Sequence, residues 1–217
     1  MKVEIYSDIA CPWCYIGKRR FEKALAAFPR RDEVEVVFRP YQLDPGASSA
    51  GAPLIERLQR KFGANAGAMT QRVTETARTE GLEMNFDRAI AANTLDAHRL
   101  LWLAEREHDA AVQRDVADRL FAAHFTDGVD IATHERLAAI AEAAGMDRQR
   151  ASAFLASDEA KDAVKAEIRE AQELGITAVP TFIFDGRYAV QGGQPAPIFL
   201  QALEQVAAGT VETRRAS

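Results

Sequence analysis

Residues 3–17 read Val3-Glu4-Ile5-Tyr6-Ser7-Asp8-Ile9-Ala10-Cys11-Pro12-Trp13-Cys14-Tyr15-Ile16-Gly17. A short apolar strand runs straight into a helical pattern that continues through Phe21, Leu25 and Phe28. The chain's only two cysteines sit at the junction. A Cys-x-x-Cys pair in that setting reads first as a thiol–disulfide redox site. A structural zinc needs four ligands, and no second Cys pair is present. The four histidines lie far away, none at ligand spacing from another. No metal is therefore expected, and an inert pair is the bland alternative. A helix starting at Cys11 would face its sulfur with unpaired backbone N–H groups and the positive end of the helix dipole, which favours thiolate. Pro12 suits the first turn, where its missing N–H costs nothing. Cys11 is then the expected exposed attacker and Cys14 the buried resolver that frees it from a mixed disulfide.

Further along, Val34, Val36 and Phe38 alternate with charged residues, a second strand over 33–39. Strand 2–8, helix 14–28 and this strand make a βαβ unit, so the strands are expected to be parallel. Lys18, Arg19, Arg20, Glu22 and Lys23 read as the helix's solvated face. Residues 40–53 are a loop by turn chemistry. From 54 to about 158 the pattern is helical, in segments 54–62, 65–80, 87–107, 110–124, 133–144 and 147–155, with no convincing strand. Thr133 and Asp147 are the expected N-caps. A helix over 159–174 ends at Gly175. Then come strand Thr181–Phe184, a hairpin turn at Asp185-Gly186, strand 187–191 and a helix over 195–208.

The order is β-α-β, helical block, α-β-β-α. This predicts an α/β, thioredoxin-like fold with a large all-helical insertion. The expected domains are 1–45 with 159–210 (discontinuous), an inserted helical domain over 46–158, and a flexible tail over 211–217. The 217 residues carry 47% hydrophobic and 27% charged residues and a net charge of −5. There is no basic stripe with interleaved aromatics and no membrane-length apolar run, so neither nucleic acid nor membrane is an expected partner. The N-terminus shows no secretory signal, which makes the cytoplasm the expected compartment. Disulfides there are mostly transient and catalytic.

Val179-Pro180-Thr181 opens the strand that returns after the helical block. Pro180 must lie at a strand start or edge. These residues, with Cys11-Pro12-Trp13-Cys14, resemble the DsbA family of the thioredoxin superfamily. Its cytoplasmic FrnE-like branch is matched by Ser7 to Gly17, Gln42-Leu43-Asp44-Pro45, Asn93-Thr94 with Ala97-His98-Arg99, and Phe125-Thr126-Asp127-Gly128. The resemblance spans about residues 1–208. It implies a cis peptide before Pro180, facing the cysteines, with the Val179 backbone pairing an extended substrate. It implies disulfide- or thiol-containing protein substrates and no cofactor. Glutathione or a thioredoxin-type reductant is the implied redox partner.

The same subfamily includes glutathione-dependent 2-hydroxychromene-2-carboxylate isomerases and kappa-class glutathione transferases, usually with serine in place of the first cysteine. Cys11 and Cys14 together favour redox chemistry, with the glutathione-dependent activities as the alternative. Trp13 and His98 complete the substrate-binding candidates. Asp8 reads as a turn residue or a proton relay for Cys14. His108, His124 and His134 read as structural, Phe121 and Phe125 as core, and Gly192-Gly193 as a turn and helix entry, with Gln194 as a lesser candidate for a peptide or glutathione carboxylate contact.

Overall fold

The computed structural model describes residues 1–210. The tail expected over 211–217 lies outside the described residues. Strand β1 (Lys2–Ser7) leads into helix α1 (Pro12–Ala27), and β2 (Glu35–Pro40) follows after a short 3₁₀ turn. After the helical block, α8 (Lys161–Glu173) leads to β5 (Thr181–Phe184), β6 (Tyr188–Gln191) and α9 (Ala196–Ala207). The four strands form one sheet in the order β2-β1-β5-β6. β1 and β2 are parallel, with Val3 opposite Val36 and Ile5 opposite Phe38. The β1–β5 and β5–β6 pairs are antiparallel. The parallel pair follows from the crossover through α1; the antiparallel pair follows from the tight turn at Asp185-Gly186. Both turn residues have positive φ, 48° and 65°, as a two-residue hairpin turn requires.

Period-2 alternation assigns each sheet face. Val3, Ile5, Val36, Phe38, Phe182 and Phe184 point one way and are buried. Phe21 of α1 enters this face with ring centroids 5.4 Å from Phe182 and 6.2 Å from Phe184. Phe199 of α9 closes the cluster at 4.5 Å from Phe182. The opposite face carries Tyr6 and Ile183 against α8. It also carries a polar seam: Arg39 binds Glu4 at 2.9 Å and Glu105 at 3.0 Å.

Between β2 and α8 lie β3 (Ala52–Pro53), α2 (Leu54–Phe62), α3 (Asn65–Thr79), β4 (Ile90–Ala91), α4 (Leu95–Glu107), α5 (Ala110–Ala122), α6 (His134–Ala143) and α7 (Arg148–Ala156). The block is joined to the sheet through β2. Gln113 of α5 is fully buried; its amide accepts from Phe38 N–H at 2.8 Å and donates to Phe38 C=O at 3.1 Å. That satisfies an edge strand that would otherwise present bare backbone.

Several expectations need correction. The helical block does contain a ladder: β3 and β4 pair antiparallel, Ala52 with Ala91 and Pro53 with Ile90. The expected helix over 87–107 therefore begins only at Leu95. The reason is Asn93. Its side-chain oxygen accepts from Leu95 N–H and Gln42, while its amide nitrogen donates to the carbonyls of Pro45 and Ala47. The residue pins a loop and starts a helix at once. The charged face of α1 is not uniformly solvated either. Lys18 is only 3% exposed and pairs with Glu22 at 2.6 Å and with Asp118 of α5 at 2.8 Å. Arg20 and Lys23 both reach Glu80 at 2.7 Å. The run is a seam between α1 and the block. Asp147 caps α7 through Arg150 N–H, whereas Thr133 precedes α6 without a side-chain cap bond.

Candidate functional site at the start of helix α1

Cys11 is the N-cap residue of α1, in extended conformation, with Pro12 in the first turn. Its N–H donates to Asp8 C=O, and Cys14 N–H donates to Cys11 C=O, both at 3.0 Å. Both thiols are free. The Val179–Pro180 peptide is cis, and the Cys11 Sγ thiol donates to the Val179 carbonyl at 3.7 Å. The structure thus brings Cys11, Cys14, Val179 and Pro180 together from opposite ends of the chain.

Glycines make that approach close. A Cβ on Gly17 would lie 3.0 Å from Pro180 Cγ and 3.1 Å from Gly193 Cα. A Cβ on Gly193 would lie 3.1 Å from the Trp13 carbonyl. The first turns of α1 are wedged against both the Pro180 loop and the end of β6. Arg20 adds a tie, donating to the Gly193 carbonyl at 2.6 Å. Gln194 turns back to the Gln191 carbonyl at 2.9 Å, within the turn expected at Gly192-Gly193.

Cys11 is only 5% exposed, which corrects the expected exposed attacker. The helical block and the Val179 carbonyl close around it, and its remaining surface faces an apolar pocket of about 280 Å³. Cys14 lies deeper. Burial pushes its thiol well up from the ordinary value, and the neighbouring Cys11 adds to the rise; the Ser7 hydroxyl and the Asp8 backbone act the other way. Trp13 is 36% exposed and forms part of the pocket wall.

Asp8 is a hub as well as a turn residue. Its carboxylate accepts from Ala10 N–H at 3.2 Å and from Leu43 N–H at 2.7 Å. His98 Nε2 stands 3.6 Å away, beyond a normal hydrogen bond but within electrostatic reach. Burial opposes ionisation of Asp8, yet His98 and the two N–H donors prevail, and its pKa lies below the ordinary 3.8. His98 is therefore placed behind Asp8, with its side chain 1% exposed; of the other substrate-binding candidates, Trp13 lines the pocket and Val179 meets Cys11 through its carbonyl. Leu43 links Asp8 to the loop that Gln42 and Asn93 hold. The Gln-Leu-Asp-Pro and Asn-Thr segments are in this way one clamp around Asp8.

His124 was missed as a pocket residue. It lies in a π-helical turn, Ala123–Asp127, that ends α5. Gly128 closes the turn at φ 70°, where a Cβ would come within 2.5 Å of the Arg88 carbonyl. Such turns frequently occur at functional sites. His124 lines the pocket, and neither ring nitrogen has a hydrogen-bond partner among the described residues. Burial holds its pKa down at about 4, so the ring is neutral near pH 7. The available signal was the Phe125-Thr126-Asp127-Gly128 segment beside it. Phe125 lines the pocket and Phe121 is core; Tyr15 stacks on them at 6.5 Å and 5.2 Å. His134 pairs with Asp96 at 3.0 Å on the surface.

A free dithiol at a helix N-terminus, faced by an X–Pro loop on a mixed sheet, belongs to the thiol–disulfide class of proteins. Residues 2–204 match the DSBA-like thioredoxin domain, and the chain belongs to that family of thiol–disulfide oxidoreductases. A probable DsbA oxidoreductase from Streptomyces coelicolor is 41% identical, with a TM-score of 0.88 over 100% of this chain and 94% of that one. At lower identity only the fold is shared. The cytosolic disulfide reductase DsbM of Pseudomonas aeruginosa is 20% identical, with a TM-score of 0.63 over 96% and 99% of the two chains. A 2-hydroxychromene-2-carboxylate isomerase is 16% identical, with a TM-score of 0.69 over 98% and 100%.

Proposed function

We propose that Cys11 and Cys14 form a redox pair that exchanges disulfides with protein substrates. The observation that carries this is the place of Cys11: its sulfur meets the Val179 carbonyl on one side and an open pocket on the other. In the reducing direction, the Cys11 thiolate attacks a substrate disulfide. One substrate sulfur leaves as a thiolate, and Cys11 is joined to the other. Cys14 then loses its proton and attacks Cys11 Sγ. The second substrate thiolate departs, leaving a Cys11–Cys14 disulfide; the substrate has gained two electrons and the dithiol has lost them. The isomerising direction stops at the mixed disulfide and returns it to another substrate cysteine.

Cys14 is buried with its thiol pKa raised, so its deprotonation needs a local acceptor. The substrate thiolate set free in the first step is the acceptor we assign, a far stronger base than the Asp8 carboxylate. Trp13 covers the entrance, and the Val179 backbone beside Pro180 aligns an extended substrate segment. The cycle needs no metal or organic cofactor. Glutathione or a thioredoxin-type reductant would reopen the Cys11–Cys14 disulfide. DsbM, which shares the fold, has been solved with glutathione. The cytoplasm is the compartment we propose. Residues 46–158 would form the inserted domain that walls the site. A glutathione-dependent isomerase or transferase is the second reading, favoured by the apolar pocket and by the fold shared with the isomerase.

Insulin reduction separates the two. Cys11→Ser is expected to fall to background, and Cys14→Ser to accumulate a Cys11 mixed disulfide visible by mass spectrometry. Wild-type rates in Cys11→Ser would sink the redox reading. Calorimetric binding of glutathione without disulfide exchange would support the second.

A further inference from the structure

The turn after β6 is a bridge. Its Gly192 N–H donates to the Pro180 carbonyl at 2.7 Å, and its Gly193 carbonyl accepts from Arg20 Nη1 at 2.6 Å. One end therefore holds the loop opposite Cys11, and the other is held by the middle of α1. Contact between these parts is close but offers little that is directional. A Cβ on Gly193 would lie 3.4 Å from Gly17 N, and one on Gly17 would lie 3.0 Å from Pro180 Cγ. The backbone N–H and C=O groups in the middle of α1 are used inside the helix. Arg20 supplies the bond that the helix backbone cannot. Among the described residues, no other hydrogen bond joins α1 to residues 192–194. Arg20 is itself fixed. Its Nε donates to Glu80 Oε1 at 2.7 Å, and Lys23 Nζ donates to Glu80 Oε2 at 2.7 Å. The side chains of Arg20 and Glu80 are 16% and 14% exposed, so solvent screens this pair less than a surface pair. A guanidinium presents its donors in a rigid fork, and here one fork serves a carboxylate and a backbone carbonyl together.

We propose that Arg20 is a positioning residue for polypeptide substrates: by holding Gly193 it fixes, through Gly192 and Pro180, the Val179 backbone along which an extended substrate pairs. This rests on the redox reading above, in which that backbone aligns the substrate. Arg20 touches no reacting atom, and it lies outside the pocket lining beside Cys11. Its effect is geometric. Hydrogen bonds weaken steeply as distance and angle leave the normal range, so a loosened Val179 penalises a substrate that pairs with it. A small disulfide without peptide groups loses nothing by that route.

The test pre-reduces the full chain, removes the reductant and follows formation of the Cys11–Cys14 disulfide in single turnover. Three disulfides are compared: bis(2-hydroxyethyl) disulfide, an extended peptide whose one cysteine is joined to 2-mercaptoethanol, and the same peptide N-methylated at the amides flanking its cysteine. Arg20→Ala is expected to lower the ratio of peptide to small-disulfide rate constants about fivefold, the effect of losing about one net backbone hydrogen bond. Arg20→Met keeps the packed stem without donors; it should match Arg20→Ala, and it carries the test if Arg20→Ala does not fold. Arg20→Lys keeps one donor and should recover part of the ratio. The N-methylated peptide should show the low ratio with the wild-type chain and lose nothing further in the variants. An unchanged ratio overturns the proposal: with both rates lowered together, Arg20 is a structural tie only. A full Arg20 effect on the N-methylated peptide also overturns it. If none of the three disulfides oxidises the wild-type chain, the redox reading falls instead.

Discussion

The two sides of the pocket are built by opposite rules. The side carrying Cys11 is packed hard. Phe21, Phe182, Phe184 and Phe199 interlock under α1, and Gly17 leaves no room between α1 and Pro180. The side made by α2 and α3 is loosely filled. Leu54 is the one buried residue of α2, and Phe62 and Met69 remain exposed. Sulfur chemistry needs a thiol held to within a fraction of an ångström, which a dense floor supplies. Accommodating ligands of differing shape needs a surface that can repack, which an open apolar wall supplies.

Four measurements would break or sharpen that contrast. Phe21→Ala should cost about 3–5 kcal/mol in urea unfolding, the usual range for removing a fully buried ring; a loss below about 1 kcal/mol would mean that the floor is no denser than the wall. A second effect should appear on acidification. The His124 pKa is about 4 when folded and 6.5 when free. Above pH 6.5 the ring is neutral in both states and contributes nothing. Between 6.5 and 4 only the unfolded chain takes the proton, so stability falls with pH, by about 3 kcal/mol at most. Asp8, with its pKa lowered, loses its contribution only below its ordinary 3.8. His124→Leu should flatten the upper window and leave the lower one, as read by unfolding midpoints from pH 7 to 3.

Gly17→Ala comes next. It should cost about 1–3 kcal/mol by overpacking and slow insulin reduction as Pro180 is pushed from Cys11. An unchanged rate would show that the close approach is dispensable. The smallest effect belongs to the rim. Arg57→Ala breaks a partly exposed pair with Asp44 and should shift stability by less than about 1 kcal/mol; a larger loss would make α2 part of the floor.

Much of the floor was legible in the sequence. Cys11, Pro12 and Cys14 announce themselves by spacing, and the strand periods give the β1–β2 and β5–β6 pairs once the crossover and the Asp185-Gly186 turn are read; that β5 lies beside β1 is decided by the fold. Pro180 could be placed at a strand start from the chain; only the resemblance set it opposite Cys11. The wall was less legible because its residues carry no pattern of their own. Asn93 looks like any helix-start asparagine until the carbonyls of Pro45 and Ala47 stand beside it. His124 looks like a lone helical histidine until the π turn swings it into the pocket. Lys18 reads as solvent-facing until Asp118 arrives from a hundred residues away.

The sequence by itself determined the Cys-x-x-Cys spacing at the strand–helix junction and the order of strands and helices along the chain, because spacing and period are local properties. The tertiary structure decided that Cys11 is shielded, that Asp8 is held ionised by Leu43, Ala10 and His98, and that Trp13, Leu43, Phe62 and Met69 line one pocket. Those outcomes depend on which distant segments meet. Burial, desolvation and pairing are set by that meeting, and no local pattern records it.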